Sequence, residues 1–452
     1  MQPLPKEFEE QMKRLLGEAG FFAYLDALTQ PYTRALRVNL LLRPDGTPSC
    51  PIEGLGAPVP WAKGAYFVEG DARPGLSPLH EGGLFYMQEP SALTAVTALD
   101  PQPGERVLDL CAAPGGKSTQ IAALMAGRGL LCCNEPIPSR AQILSRNIER
   151  MGVRNAVVLS AMPDALAPRF PAFFDRILVD APCSGEGMFR RQPEARDEWD
   201  ADAPRRCADR QMEILAQAAK MLRPGGTMVY STCTFNDTEN EGVLRRFLAL
   251  HPEFSLVPFA LPGLPEAKDG YLHLYPHEMR GEGHFVSRLK KADGADEADA
   301  PVQAAPQLKA PARAAKGKAP APIALPDVFS DAFAPERLYT AGDALWMLPE
   351  EISIERLSGL RVLRTGLLLA HAEGKRSEPD HALAMALRPE EAARTASLTQ
   401  AQALAYQAGE TLSLGDLPGG YTLLCCEGVS LGWGKQAGGL MKNHYPKGLR
   451  RR

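Results

Sequence analysis

Through its central part the chain alternates short apolar runs with longer amphipathic stretches, and this rhythm predicts most of its elements. Arg106–Leu110, Gly129–Cys133, Asn155–Leu159, Phe174–Val179 and Thr227–Tyr230 are largely apolar runs of four to six residues, the length of buried strands. Between them lie segments with helical spacing: from Lys117 onward (KSTQIAALM), Arg140–Met151 and Arg206–Leu222. The last of these places Ile214, Leu215, Ala218, Met221 and Leu222 on one face. Further helices are expected at Ala92–Leu99 and Glu239–Leu250, and alternation over His284–Leu289 predicts a closing strand pair. Strands alternating with helices give an α/β fold with a parallel, doubly wound sheet, whose ligands sit beyond the carboxyl ends of the strands.

The flanking regions read differently. Lys6–Leu16 is an amphipathic helix, and Val38–Leu42 is strand-like, with Arg34 and Arg37 leading into it on what reads as a solvated face. Residues 292–327 are rich in Ala and Pro with scattered charge, a composition that cannot bury a core and predicts a linker. A second folded region follows, split near Ala392. The expected organisation is therefore an N-terminal domain over 1–78, the α/β domain over 79–291, the linker over 292–327, an accessory domain over 328–391 and a small β-rich module over 392–452. The last stretch carries Lys435, Lys442, Lys447, Arg450, Arg451 and Arg452 without an acid, with Trp433 and Tyr445 interleaved. That pattern fits a module that touches nucleic acid.

Composition narrows the class. Of 452 residues, 45% are hydrophobic and 23% charged, as in ordinary soluble proteins, and the net charge of −4 confines any nucleic-acid footprint to local patches. No apolar run reaches membrane-spanning length, and the charged amphipathic start is unlike a signal peptide. Nine cysteines is an odd count that includes the adjacent pairs Cys132-Cys133 and Cys425-Cys426. This is a poor disulfide framework and points to the reducing cytoplasm. No cysteine or histidine spacing suggests a metal site.

The candidate chemistry gathers at strand ends. After the first strand, Cys111-Ala112-Ala113-Pro114-Gly115-Gly116-Lys117 forms a tight turn into a helix. Glycines there allow close backbone approach, and the helix start offers unpaired N–H groups. A Walker A loop would need glycine where Cys111 stands, and the G-x-G-x-x-G dinucleotide pattern is missing. The remaining common choice is a nucleoside cofactor without a polyphosphate, S-adenosylmethionine. Glu135, about 20 residues on at the end of the second strand, is placed to accept hydrogen bonds from ribose hydroxyls. Asp180 ends the fourth strand beside the reacting centre, and Asp109 is expected to brace the glycine turn.

Two cysteines, Cys183 and Cys233, occupy turns on the same edge of the sheet. Their thiolates are the reactive form, favoured by Lys117 and nearby helix N-termini. Methyl transfer to oxygen or nitrogen needs no thiolate, because those atoms carry lone pairs. Carbon 5 of a pyrimidine needs one: a thiolate adding to carbon 6 makes carbon 5 nucleophilic, with Asp180 stabilising the ring near nitrogen 3. The base must leave its stack to be reached. On the residues alone either cysteine could attack. An amino-methyltransferase would need an Asn/Asp-Pro-Pro-aromatic motif where Ala181-Pro182-Cys183 stands. A transfer RNA substrate, or an RNA-binding assembly factor without catalysis, stays open.

DLCAAPGGK (Asp109–Lys117), DAPCSGEGMFRR (Asp180–Arg191) and STCTFNDTENE (Ser231–Glu241) resemble the NOL/NOP/Sun family of RNA cytosine-5 methyltransferases. Arg37–Asn39 and Phe85–Ala92 are similar to its N-terminal signatures, and LGWGKQAGGLMKNHYPKGLR at the end resembles its RsmF branch, which acts on small-subunit ribosomal RNA. The resemblance implies a Rossmann-like methyltransferase domain, a small N-terminal α+β domain and a PUA-like C-terminal region. It implies that Cys111–Lys117 line the cofactor, with Glu135 on its ribose, and that Asp180 stands between cofactor and base. It also implies that Cys233 is the nucleophile and that Cys183 helps release the product. RNA is then the partner, with no membrane, and a monomer is expected. One departure is visible: many relatives carry a polar or acidic residue at the end of the third strand, where this chain has Ala161-Met162-Pro163, with Asp164 the nearest acid.

Overall fold

Glycine at position 17 sets the shape of the chain's start. The computed structural model describes residues 3–294, 323–374 and 376–451, and its first helix, Lys6–Thr29 (α1), is longer than the sequence pattern predicts. Gly17 takes a left-handed φ of 69°, which redirects the helix. The second half then buries Phe21, Tyr24 and Leu28 in a cluster with Phe8, Phe189, Trp199 and Phe235. The next strand is Arg34–Val38 (β1), not Val38–Leu42. Asn39 ends it, because its side-chain amide donates to the carbonyls of Gly83 and Met151, both at 3.0 Å. With Leu55–Pro58 (β2), Ala65–Val68 (β3) and Phe85–Gln88 (β4), β1 forms an antiparallel sheet in the order β2-β3-β1-β4. Arg37 is not on a solvated face: it is 1% exposed, and its guanidinium donates to Thr119 Oγ1 at 2.8 Å.

After Thr94–Leu99 (α2) the predicted alternation appears as Arg106–Asp109 (β5), Gly116–Leu124 (α3), Leu130–Asn134 (β6), Pro138–Arg150 (α4) and Ala156–Leu159 (β7). Phe174–Asp180 (β8), Ala203–Met221 (α5), Leu222–Thr232 (β9) and Glu241–Leu250 (α6) follow. The five strands lie parallel in the order β9-β8-β5-β6-β7, with apolar residues buried on both faces. Phe254–Leu256 (β10) and Tyr271–Leu274 (β11) both pair antiparallel with His284–Lys291 (β12), which pairs antiparallel with β9.

The accessory region contributes Leu338–Ala341 (β13), Ala344–Met347 (β14), Val362–Thr365 (β15), Leu367–Glu373 (β16), Arg376–Pro379 (β17) and the helix His381–Ala386 (α7). β15 leaves this group and pairs antiparallel with β7, extending the central sheet. Most of the expected linker, and Arg452, lie outside the described residues.

The C-terminal module consists of Thr395–Ser397 (β18), the helix Gln400–Ala408 (α8), Gly420–Cys426 (β19), Val429–Ala437 (β20) and Leu440–Asn443 (β21). Trp433 and Tyr445, expected among the basic residues of an RNA-facing surface, are core side chains, 2% and 4% exposed. The indole N–H of Trp433 donates to Asp380 O at 2.8 Å. Tyr445 joins a cluster that mixes Tyr406, Leu424 and Leu431 of this module with Leu36, Val38 and Phe85 of the N-terminal sheet. No helix among the described residues is long and apolar enough to cross a membrane.

Candidate active site

The turn after β5 is shaped by its protein neighbours as much as by any ligand. Gly115 has a φ of 113°, and a Cβ there would lie 3.2 Å from Leu144 Cδ1. At Gly116 a Cβ would meet the Tyr86 ring at 3.2 Å. The two glycines therefore let the turn pack against α4 and β4. Asn147 Nδ2 donates to Pro114 O at 2.9 Å, and Ser118 Oγ donates to the buried Asp109 at 2.6 Å. Burial raises the Asp109 pKa to about 7 against the effect of the Ser118 bond. Asn134, which the sequence reading passed over, ties three strand ends together. Its amide donates to Leu110 O at 3.2 Å and Ala161 O at 3.0 Å, and its carbonyl accepts from Ala161 N–H at 3.1 Å.

Two cavities meet above this edge of the sheet. The larger, of about 760 Å³, runs from Glu135, Ile137, Met162 and Asp164 to Asp180, Cys183 and Cys233, with Cys111 and Ala113 on its floor. The smaller, of about 520 Å³, is walled by Tyr86, Gln88, Lys117, Arg191 and His284, and shares Cys111, Ala113, Asp180 and Cys233 with the first. Ala112, Pro114, Gly116 and Lys117 line only the smaller one, and Gly115 lines neither. Glu135 is 3% exposed; its Oε1 accepts from Ile137 N–H at 3.0 Å and its Oε2 lies 3.4 Å from Arg140. Ile137 and Met162 are large apolar side chains left 49% and 61% exposed, suited to flank a flat ring.

The two thiols expected to share one pocket do so: Cys183 Sγ lies 3.2 Å from Cys233 Sγ, and both are free. Cys183 borders only the larger cavity, whereas Cys233 borders both. Lys117 Nζ donates to Asp180 Oδ2 at 2.7 Å, and Ser231 Oγ donates to Oδ1 at 2.8 Å. Burial alone would raise the Asp180 pKa, but the Lys117 ammonium and these bonds hold it below the ordinary carboxylate value. Burial would likewise lower Lys117, and Asp180 keeps it above its usual value. Both groups are thus charged at neutral pH. His284, 3% exposed, has Nε2 at 3.6 Å from Asp180 Oδ1; burial, with Lys117 beside it, lowers its pKa to about 3, so it is neutral. The bond to Cys233, followed by burial, raises the Cys183 thiol well above its ordinary pKa.

Four family descriptions match successive parts of the chain. Residues 96–290 match "16S rRNA methyltransferase RsmB/F", 4–90 the N-terminal domain of RsmF, 326–387 its first C-terminal domain and 393–451 the "Methyltransferase RsmF PUA domain". A curated relative from Erwinia tasmaniensis, "Ribosomal RNA small subunit methyltransferase F", is 33% identical over 98% of this chain and 96% of its own length. The chain belongs to the RsmB/F family of ribosomal RNA methyltransferases. The family is S-adenosylmethionine-dependent and methylates carbon 5 of cytosine. An Enterobacter relative of the same name is 34% identical over 98% of this chain and 95% of its own. Among solved structures, a methyltransferase homolog protein from Pyrococcus horikoshii is 30% identical, with a TM-score of 0.54, over 64% of this chain and 95% of that one. NSun6 from Pyrococcus horikoshii, solved with SFG, is 22% identical, with a TM-score of 0.55 over 64% of this chain and 99% of that one, and shares the fold.

Set against the RsmB/F signatures, the sequence reading found the thiols and acids but missed what holds them. Ser184, Glu186, Asn236 and Glu239 lie inside the quoted motifs, yet they are bonded between loops, to partners 49 to 55 residues away. Gln211, whose amide donates to Pro182 O at 3.0 Å, sits on α5 in no motif at all. The donor set of the larger cavity fits S-adenosylmethionine: a buried carboxylate at a strand end for hydroxyl groups, two apolar side chains for a ring, and a floor of small residues.

Proposed function

We propose that this chain methylates carbon 5 of a cytosine in small-subunit ribosomal RNA through a covalent adduct between Cys233 and carbon 6. The observation that carries this reading is the placement of Cys233 where the two cavities meet, beside Cys183 and the Lys117–Asp180 pair. On this reading the larger cavity takes S-adenosylmethionine, held by Cys111, Ala113, Glu135 and Asp180, and the smaller takes the flipped base. The substrate is inferred from the curated relatives' name. We take the chain to act as a monomer in the cytoplasm, where ribosomal RNA is made.

S-adenosylmethionine, when bound, supplies the electrophilic methyl group that carbon 5 takes. The Cys233 thiolate supplies the electron pair that forms the bond to carbon 6. Asp180, ionised, accepts a hydrogen bond from the amino group of the base and stabilises the proton that nitrogen 3 takes from water as the thiolate adds and returns to water as it leaves. Once Cys233 is bonded to carbon it carries no charge, which removes one of the influences that keep Cys183 protonated. Cys183 then gives its proton to water and, as thiolate, takes the proton from carbon 5. The electrons of that C–H bond restore the 5,6 double bond, and Cys233 leaves as thiolate.

Bisulfite mapping of 16S ribosomal RNA tests the activity directly. In cells lacking this protein at least one protected cytosine should become fully convertible, and purified protein with S-adenosylmethionine should restore it. A methylation map identical with and without the protein would overturn the reading. Glu135 offers a narrower check. Glu135→Ala should weaken S-adenosylmethionine binding by about 10- to 100-fold in isothermal titration, the loss of one or two charge-assisted bonds. An unchanged Kd would remove Glu135 from the cofactor site.

A further inference from the structure

Two buried carboxylates cross between the loops that carry the thiols. Glu239, beyond Cys233, reaches back to the Cys183 loop, where Ser184 N–H donates to it at 3.0 Å and the Ser184 hydroxyl donates as well. Glu186, beyond Cys183, reaches the other way and accepts from Phe235 N–H at 2.9 Å and Asn236 N–H at 3.1 Å. Both glutamates are 0% exposed. Asn236 Nδ2 and Gln211 Nε2 complete the surroundings of Glu239, each at 2.8 Å.

This donor set favours the charged form of Glu239. Its four partners are a backbone N–H, two amide N–H groups and a hydroxyl whose other neighbour is Thr234 Oγ1 at 2.8 Å. Burial raises the Glu239 pKa above the ordinary carboxylate value, while the three N–H donors and the Ser184 hydroxyl at its oxygens work the other way and favour the ionised form. The ionised form of Glu239 puts a negative charge on the Cys183 side of the sulfur pair. The positive charge of Lys117 acts on the Cys233 side. At Cys183, the bond to Cys233, burial and the Glu239 charge all disfavour the thiolate, while the Gly185 N–H works the other way.

We propose that Glu239 is the positioning residue that divides the work between the thiols: it holds the two loops together and keeps the pair's proton on Cys183, leaving Cys233 as the nucleophile. This rests on the covalent reading above. The role needs both the reach of the side chain, which sets the 3.2 Å separation of the sulfurs, and its charge.

The test compares full-length wild type with Glu239→Gln, using iodoacetamide at neutral pH and mass spectrometry of the Cys183 and Cys233 peptides. In wild type Cys233 should be alkylated about 10-fold or more faster than Cys183. In Glu239→Gln the preference should fall to within about 3-fold, and kcat should fall about 10- to 100-fold with KM for RNA nearly unchanged. A loss of folding alone would not move the alkylation preference of the folded fraction. Where the glutamine variant does not fold, Glu239→Asp keeps the charge but shortens the reach, so the preference persists while kcat drops. The inference is overturned if wild type alkylates Cys183 first, if Glu239→Gln keeps the full preference, or if Glu239→Asp has wild-type kcat. The underlying reading fails by a different result, methyl transfer by an enzyme without the Cys233 sulfur.

Discussion

Cys233→Ala should abolish methyl transfer, with a loss on the order of 10³-fold or more, because on the proposed mechanism its thiolate is what makes carbon 5 nucleophilic. Cys183→Ala should fail differently. Addition to carbon 6 still proceeds, but the group proposed to take the carbon 5 proton is gone, so the enzyme should accumulate on its RNA. The measurement is a denaturing gel of each variant with substrate RNA and S-adenosylmethionine. A band of protein joined to RNA is expected for Cys183→Ala and none for Cys233→Ala or the double variant. The asymmetry follows from where the sulfurs sit: both reach the larger cavity, but Cys233 alone of the two also borders the cavity assigned to the base. If instead Cys233→Ala accumulates the protein–RNA band while Cys183→Ala is inactive without one, the two roles are reversed.

The strand-helix rhythm was legible because a sheet buried on both faces demands uninterrupted apolar runs, and Val107, Leu131, Val157, Ile177 and Met228 obey that demand. The thiols and acids were legible because a parallel sheet presents its strand ends on one edge. What sequence could not supply is pairing between distant segments. Glu239 and Ser184 are 55 residues apart, and nothing local marks one as the other's partner. Arg37 looked like surface because arginine usually is, yet its guanidinium caps the carbonyls of α3. Trp433 and Tyr445 misled for a related reason. An aromatic residue among cations has the same pattern whether it stacks on a base or fills a core, and here both fill a core.

That core makes the C-terminal module more than an attached reader of RNA. A chain truncated before residue 393 should be strongly destabilised rather than merely weaker on its substrate. Leu36, Val38, Leu79, Leu84 and Phe85 of the N-terminal region pack in one cluster with Tyr406, Leu424, Val429, Leu431 and Met441. Polar contacts lock the same joint: Gln407 Nε2 donates to Pro78 O at 3.1 Å, and Arg451 Nη2 to Ser77 O at 3.0 Å. Gly82 is close enough to the module that a Cβ there would lie 2.9 Å from Leu431. Uncovering several such side chains costs on the order of 5–10 kcal/mol, comparable with the stability of a whole domain. The damage would reach the site, because β4 carries Tyr86 and Gln88, two walls of the smaller cavity, and loses the support beneath Phe85. The truncated protein should therefore melt at least about 10 °C below the full chain or fail to stay soluble, with early proteolysis in residues 34–88. A truncated chain with the full-length melting temperature would show instead that the module rides on the enzyme without holding it together.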